Sequence, residues 1–313
     1  MSLPGIRVNS RNSRINFFAC SGYLSLAMNR PKANWWKSFV RVLLTLVIAY
    51  VVLSLAIMFL QRRMIYIPTR LTTAQESQLA AENGFVPWRN PAGEIIGWEL
   101  PAKGTAAGTV LIVHGNAGCA VDRDYLADPI HAARPVNVFV LEYPGYGARA
   151  GSPSEKSFLA AAEEAFATLT NRGPVYVVGE SLGTGVAAYL AKTHGQQVAG
   201  LALLMPYNKL AAVAQAKMPL FPAGLLLWDR FDPEDWLKSY HGPIKFVLAG
   251  KDEIIPTKFG RRLFDSYNGP KSLQVIAGAH HNDVPQELSA VWWADVFAFW
   301  QQDRQPSQIP TKG

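Results

Sequence analysis

The chain has 313 residues, a formal net charge of +7, 49% hydrophobic residues and two cysteines, which leaves room for one large domain and an appendage. Residues 1–63 hold nine Arg or Lys and no Asp or Glu, and the rest of the chain carries a net of −2. The basicity therefore belongs to the amino-terminal segment. No basic face recurs in the body, so nucleic acid is not an expected partner, whereas anionic lipid headgroups are.

In chain order, residues 1–41 form the basic segment and Val42 to Leu60 follows with no charged side chain, long enough to cross a hydrocarbon core. Trp35 and Trp36 stand before it and Arg62, Arg63 and Tyr66 after it, as at membrane interfaces. The run is long for a signal-peptide core, and Gln61-Arg62-Arg63 replaces a small-residue cleavage site, so a retained transmembrane helix is expected over 42–60. Seven basic residues precede it (four if translation starts at Met28), and Arg62, Arg63 and Arg70 follow. That bias predicts a single-pass protein with the domain after the span on the exported side, as in a bacterial inner membrane. Cys20 and Cys119 are then expected on opposite sides, and a disulfide between them is not expected.

The body, 64–302, opens with a connector and a short helical stretch to residue 83. Val86-Pro87-Trp88 and Glu94 to Leu100 read as a hairpin about Asn90-Pro91-Ala92-Gly93. Apolar runs at Thr109–Val113, Val136–Leu141, Val175–Val178, Val198–Leu204, Ile244–Leu248 and Leu273–Ile276 suit strands of a parallel sheet covered on both faces. Helical patterns lie at Ser154–Asn171, Gly183–His194 and Glu287–Gln302. The alternation predicts a mostly parallel, doubly wound α/β sheet. Residues 206–241, rich in proline and leucine, break the rhythm as a small helical cap insertion of the kind that walls a pocket. The tail, 303–313, is polar and proline-bearing, with the composition of a disordered segment. No internal repeat occurs.

Gly179-Glu180-Ser181-Leu182-Gly183 follows one strand and opens a helix, the setting in which G-x-S-x-G forms a nucleophile elbow. A serine hydroxyl needs a base and an acid to orient that base. Asp252 lies just past the strand ending in Leu248-Ala249, and His280 and His281 just past the next. Ser181, Asp252 and a histidine thus reach one sheet edge in hydrolase order. Glu253 is the weaker acid candidate. The oxyanion needs two N–H donors: Leu182, after the nucleophile, and Asn116, in the loop His114-Gly115-Asn116-Ala117-Gly118. His114 reads as a brace for that loop, and nothing in sequence activates Cys119. No metal-ligand spacing occurs.

Together these residues resemble the α/β-hydrolase fold, and within it the branch of single-pass, membrane-anchored serine hydrolases that includes protein depalmitoylases and uncharacterised bacterial members. The likeness runs from the anchor to residue 302 and rests on Phe59 through Pro68, His114 through Gly118, Tyr143-Pro144-Gly145-Tyr146-Gly147, the elbow, Asp229-Arg230-Phe231-Asp232, Asp252 through Pro256 and His281-Asn282-Asp283. The resemblance implies His281 as base, with His280 standing where glycine is usual, and a structural role for Glu142. It implies cleavage of an acyl ester or thioester, lipid-like in character, through a Ser181–His281–Asp252 triad, with no metal or organic cofactor. A serine peptidase, an acyltransferase on the same fold and a non-enzymatic membrane-bound interaction module are the competing readings. A peptidase would need an acidic cluster, for which Glu234-Asp235 is the one candidate.

Overall fold

The computed structural model describes residues 34–302, so the readings of the basic segment before residue 34 and of the tail lie outside the described residues. Helix α1 runs Trp35–Ile65. It continues past both ends of the expected 42–60 span because no Gly or Pro interrupts it before Pro68. At about 46 Å it exceeds a hydrocarbon core of about 30 Å. Its last residues, from Tyr50 on, belong to the compact unit that carries the sheet, which therefore begins well before the residue 64 expected from sequence.

After α1 come β1 (Ile67–Pro68), α2 (Thr73–Glu82), β2 (Val86–Arg89), β3 (Ile95–Leu100), β4 (Thr109–Val113), β5 (Ala117–Gly118), α3 (Asp124–Ala133), β6 (Asn137–Leu141), α4 (Glu155–Ala167), β7 (Val175–Glu180) and α5 (Gly183–His194). The chain continues through β8 (Val198–Leu204), α6 (Leu210–Lys217), α7 (Ala223–Leu226), α8 (Pro233–Trp236), β9 (Ile244–Ala249), α9 (Thr257–Ser266), β10 (Lys271–Ile276) and α10 (Ala290–Gln302). Eight strands form one sheet in the order β10-β9-β8-β7-β4-β6-β3-β2. The pairs β2/β3 and β3/β6 are antiparallel and the others parallel. β1 and β5 make a separate parallel pair.

The central strands β4, β7 and β8 are buried along their whole length and largely apolar because both sheet faces are covered there. Along β4, Leu111 and Val113 join one buried cluster with Phe158, Phe166 and Leu190 of α4 and α5, while Val110 and Ile112 join the other with Leu126, Ile130 and Trp293 of α3 and α10. This alternation is the two-residue period of a strand. From β4 the chain passes to β6 on one side, then crosses to β7 on the other. The loops after β4 and β7 consequently part, leaving a crevice beyond their carboxyl ends, where α/β sheets place ligands. The predicted cap, 206–241, holds the short helices α6, α7 and α8.

Candidate active site

Ser181 leaves the end of β7 with φ 51°, a left-handed conformation costly for a residue with a side chain. Two close approaches hold the turn. A Cβ on Gly183 would collide with the Val113 carbonyl oxygen, and one on Gly179 would come within 2.8 Å of the Thr184 Cα. The Ser181 N–H donates to the Leu204 carbonyl at 2.8 Å, and the Thr184 hydroxyl to the Ser181 carbonyl at 2.7 Å. The hydroxyl of Ser181 is thereby set at the amino end of α5, where the helix dipole favours negative charge.

The loops after β9 and β10 bring the other two residues to it. His281 Nε2 lies 2.9 Å from Ser181 Oγ, and His281 Nδ1 lies 2.7 Å from Asp252 Oδ2. The second Asp252 oxygen accepts the N–H groups of Ile254 and Ile255 at 2.9 and 2.7 Å, which fixes the carboxylate. Ser181 and His281 are buried. The neighbouring pair goes elsewhere: His280 faces solvent against Glu253 at 3.0 Å, so neither reaches the serine.

Asn116 and Leu182 line the same cavity as Ser181. Among the described residues, neither backbone N–H is given to a protein acceptor. The Asn116 carbonyl is held by the Ile67 N–H at 2.8 Å and the Tyr146 hydroxyl at 2.7 Å. Its side-chain amide donates to the Ile65 carbonyl at 2.7 Å, which ties the end of α1 to this loop. Glu180, unassigned from sequence, braces the loop from behind. Its carboxylate accepts the Gly115 N–H at 3.2 Å and the Tyr125 hydroxyl at 2.7 Å, and pairs with Arg123 at 3.3 Å. An acidic residue inside the elbow was the one signal available for it.

His114 is completely buried, and burial and then the Arg123 charge push its imidazolium down to about 3. The neutral ring donates from Nδ1 to the Gly115 carbonyl at 2.9 Å, in keeping with a brace. Glu142, 3.5 Å from His114 Nε2, is raised to about 7 by burial. Glu76, desolvated and hydrogen-bonded to Glu142, is raised to about 8. Burial also raises the Cys119 thiol, whose S–H meets Asp122, so its thiolate is suppressed. Glu234 is engaged by Asn208 and Arg262 and Asp235 by Lys238, away from the cavity.

Above Ser181 is a cavity of about 260 Å³ with an apolar lining from three sources. The cap supplies Leu210, Val213, Met218 and Leu226; the loop after Asp252 supplies Ile254 and Ile255; α1 supplies Ile57, Met58 and Met64. The contribution of α1 was not legible in sequence, because a helix apolar on every side carries no directional signal.

An uncharacterized protein of Mycobacterium tuberculosis is 33% identical over 253 residues, 78% of this chain and 89% of that protein. The lysophosphatidylserine lipase ABHD12 of Xenopus tropicalis is 25% identical over 213 residues, 60% of this chain and 54% of its own length. Among solved structures, Est1E from Butyrivibrio proteoclasticus superposes with a TM-score of 0.55 at 16% identity, over 70% of this chain and 99% of that one. The family model described as the alpha/beta hydrolase fold matches residues 108–303. With its switch-point crevice and strained serine turn, the chain belongs to the α/β-hydrolase fold family.

Proposed function

We propose that this hydrolase is a membrane-anchored serine enzyme that cleaves carboxylic ester or thioester bonds through an acyl-enzyme intermediate. The observation that carries the reading is the continuous hydrogen-bonded line Asp252–His281–Ser181, whose serine lines an apolar cavity. His281 Nε2 takes the Ser181 proton as Oγ bonds to the acyl carbon. Asp252, accepting from Nδ1–H, holds the productive tautomer and offsets the imidazolium charge. The N–H groups of Asn116 and Leu182, with the dipole of α5, stabilise the oxyanion. Collapse of the tetrahedral species breaks the bond to the alcohol or thiol, which takes the proton from His281. Water, deprotonated by the same histidine, then attacks the acyl carbon, and the acid leaves as Ser181 recovers its hydrogen.

The anchor is α1, whose 31 residues include the uncharged stretch 42–60. The basic excess before that stretch favours an inner-membrane protein with an exported hydrolase domain. A peptidase gains no support, since Glu234 and Asp235 are engaged elsewhere. The test is intact mass of the full-length protein in detergent micelles after a fluorophosphonate. One adduct on the wild type, absent from Ser181→Ala, is the expected result. A folded wild type that takes up no adduct overturns the reading.

A further inference from the structure

The cap segment between α6 and α8 combines two properties that a loop in water does not need together. Its tip is apolar and bare: Leu220 is 80% exposed and Leu225 79% exposed, with Trp228 half exposed beside them. Its backbone, irregular apart from the single turn α7, is met by side chains. Gln215 donates to the Phe221 carbonyl at 2.9 Å and accepts the Gly224 N–H at 3.3 Å. The Tyr50 hydroxyl donates to the Leu220 carbonyl at 3.1 Å, and Arg230 to the Gly224 carbonyl at 3.0 Å. Gln61, buried although it sits on α1, donates to the Leu226 carbonyl at 3.1 Å and accepts the Trp228 N–H at 2.7 Å. Water would serve these groups at no cost on an ordinary surface loop. In hydrocarbon, irregular backbone is tolerated only where protein satisfies it.

The loop is also continuous with the exposed apolar side of α1. Tyr50 stacks on Phe221 at 5.5 Å between centroids, and Phe59 meets Trp228 edge-on at 6.0 Å. A basic rim of Arg62, Arg63 and Arg230, all exposed, lies at the upper end of this surface. It marks the level of anionic headgroups. About 18 Å of helix axis separates Tyr50 from Arg62, more than half the depth of a hydrocarbon core of about 30 Å. The seam between α1 and the loop is at the same time a wall of the cavity over Ser181, since Ile57, Met58 and Met64 line it from one side and Met218 and Leu226 from the other.

We propose that the segment Met218–Trp228 is immersed in the bilayer beside α1, and that the acyl chain of a membrane-resident lipid ester or thioester reaches Ser181 laterally along this seam. The proposal rests on the anchored-hydrolase reading and narrows its substrate to acyl chains already in the membrane.

The test uses full-length protein in vesicles of phosphatidylethanolamine and phosphatidylglycerol, in a Cys20→Ser background that keeps the buried Cys119. Nitroxides are attached at Leu220→Cys, Leu225→Cys, Val51→Cys on α1 and Lys103→Cys on a remote exposed loop. The expected result is that positions 220 and 225 match 51, reached by oxygen and shielded from a water-soluble nickel complex, while 103 shows the reverse. Positions 220 and 225 matching 103, with 51 in lipid, would overturn the proposal and leave the anchor standing. Position 51 matching 103 would remove the anchor and the proposal together. As a second arm, Leu220→Asp/Leu225→Asp should keep its fluorophosphonate labelling and its turnover of p-nitrophenyl acetate, and lose at least tenfold on p-nitrophenyl palmitate presented in the vesicles. Equal effects on the two esters, or none on either, would count against lateral access. Failure of the wild type to label at all would instead sink the hydrolase reading.

Discussion

Two adjacent pairs of like residues, Asp252-Glu253 and His280-His281, sit on the loops after β9 and β10, and one member of each pair turns inward. The inward pair is buried, with Asp252 held by two backbone N–H groups; the outward pair is more than half exposed. An exposed ion pair contributes little beyond about 1 kcal/mol, whereas in the proposed triad the buried one would set the tautomer of the base. Asp252→Asn should therefore lower kcat by roughly 10⁴-fold with KM little changed, since the asparagine presents an N–H where the imidazole needs an acceptor. His280→Ala should keep kcat within about twofold, the scale expected of a surface change. Both follow from initial rates on a p-nitrophenyl ester. If His280→Ala were the dead variant, the inward assignment of His281 would be wrong.

At the scale of elements, the loop after β4 is gripped from two sides, by Glu180 of β7 and by the group His114, Glu142 and Glu76. Both carboxyls of that group have folded-state pKa values above the ordinary 4.5, about 7 for Glu142 and about 8 for Glu76, chiefly through burial. A raised carboxyl binds its proton more tightly folded than unfolded. Its contribution to stability is complete below about pH 4.5 and is lost as pH rises through the folded values. Thermal unfolding of the detergent-solubilised protein should accordingly show a midpoint that falls between pH 5 and 8. Glu142→Gln, neutral at every pH, should flatten that fall, the difference being on the order of 3 kcal/mol across the window. A wild-type slope unchanged by the substitution would mean that another group titrates there. Of this group the sequence offered His114 as a brace and, through the resemblance, Glu142 as structural, but not Glu76, which lies on α2, far along the chain from both. The strand ends were legible from their apolar runs, and with them Ser181, Asp252 and the choice between two histidines. Helices α3 and α9 escaped because each carries a breaker, Pro129 and Gly260, and neither has a side-chain N-cap hydrogen bond to announce it.

For the whole molecule, the carboxyl-terminal part of α1, which belongs to the unit that carries the sheet, is tied to the floor of the cavity. Asn116 caps the last carbonyl of α1, and the short strand that follows pairs with Ala117 and Gly118 of the loop after β4. Arg62, near the end of the same helix, makes a two-pronged ion pair with the buried Asp229 of the cap. Cutting the chain at residue 64 would yield a soluble fragment with an intact Asp252–His281–Ser181 line. It would also strip Ile57, Met58 and Gln61 from the cavity and leave the cap backbone without Tyr50 and Gln61. Residues 64–313 should then still take one fluorophosphonate on Ser181, while discrimination among acyl chains collapses. We expect kcat/KM on a long-chain ester to fall at least tenfold relative to the full chain in detergent, and on an acetyl ester to change by less than about threefold. A lost methylene contact is worth about 1 kcal/mol, so removing two apolar side chains and the helix behind them suffices for that ratio. Should the fragment retain the full-length preference for long chains, the acyl chain would have to lie along the cap and the Ile254-Ile255 wall alone, and α1 would serve as a tether and nothing more.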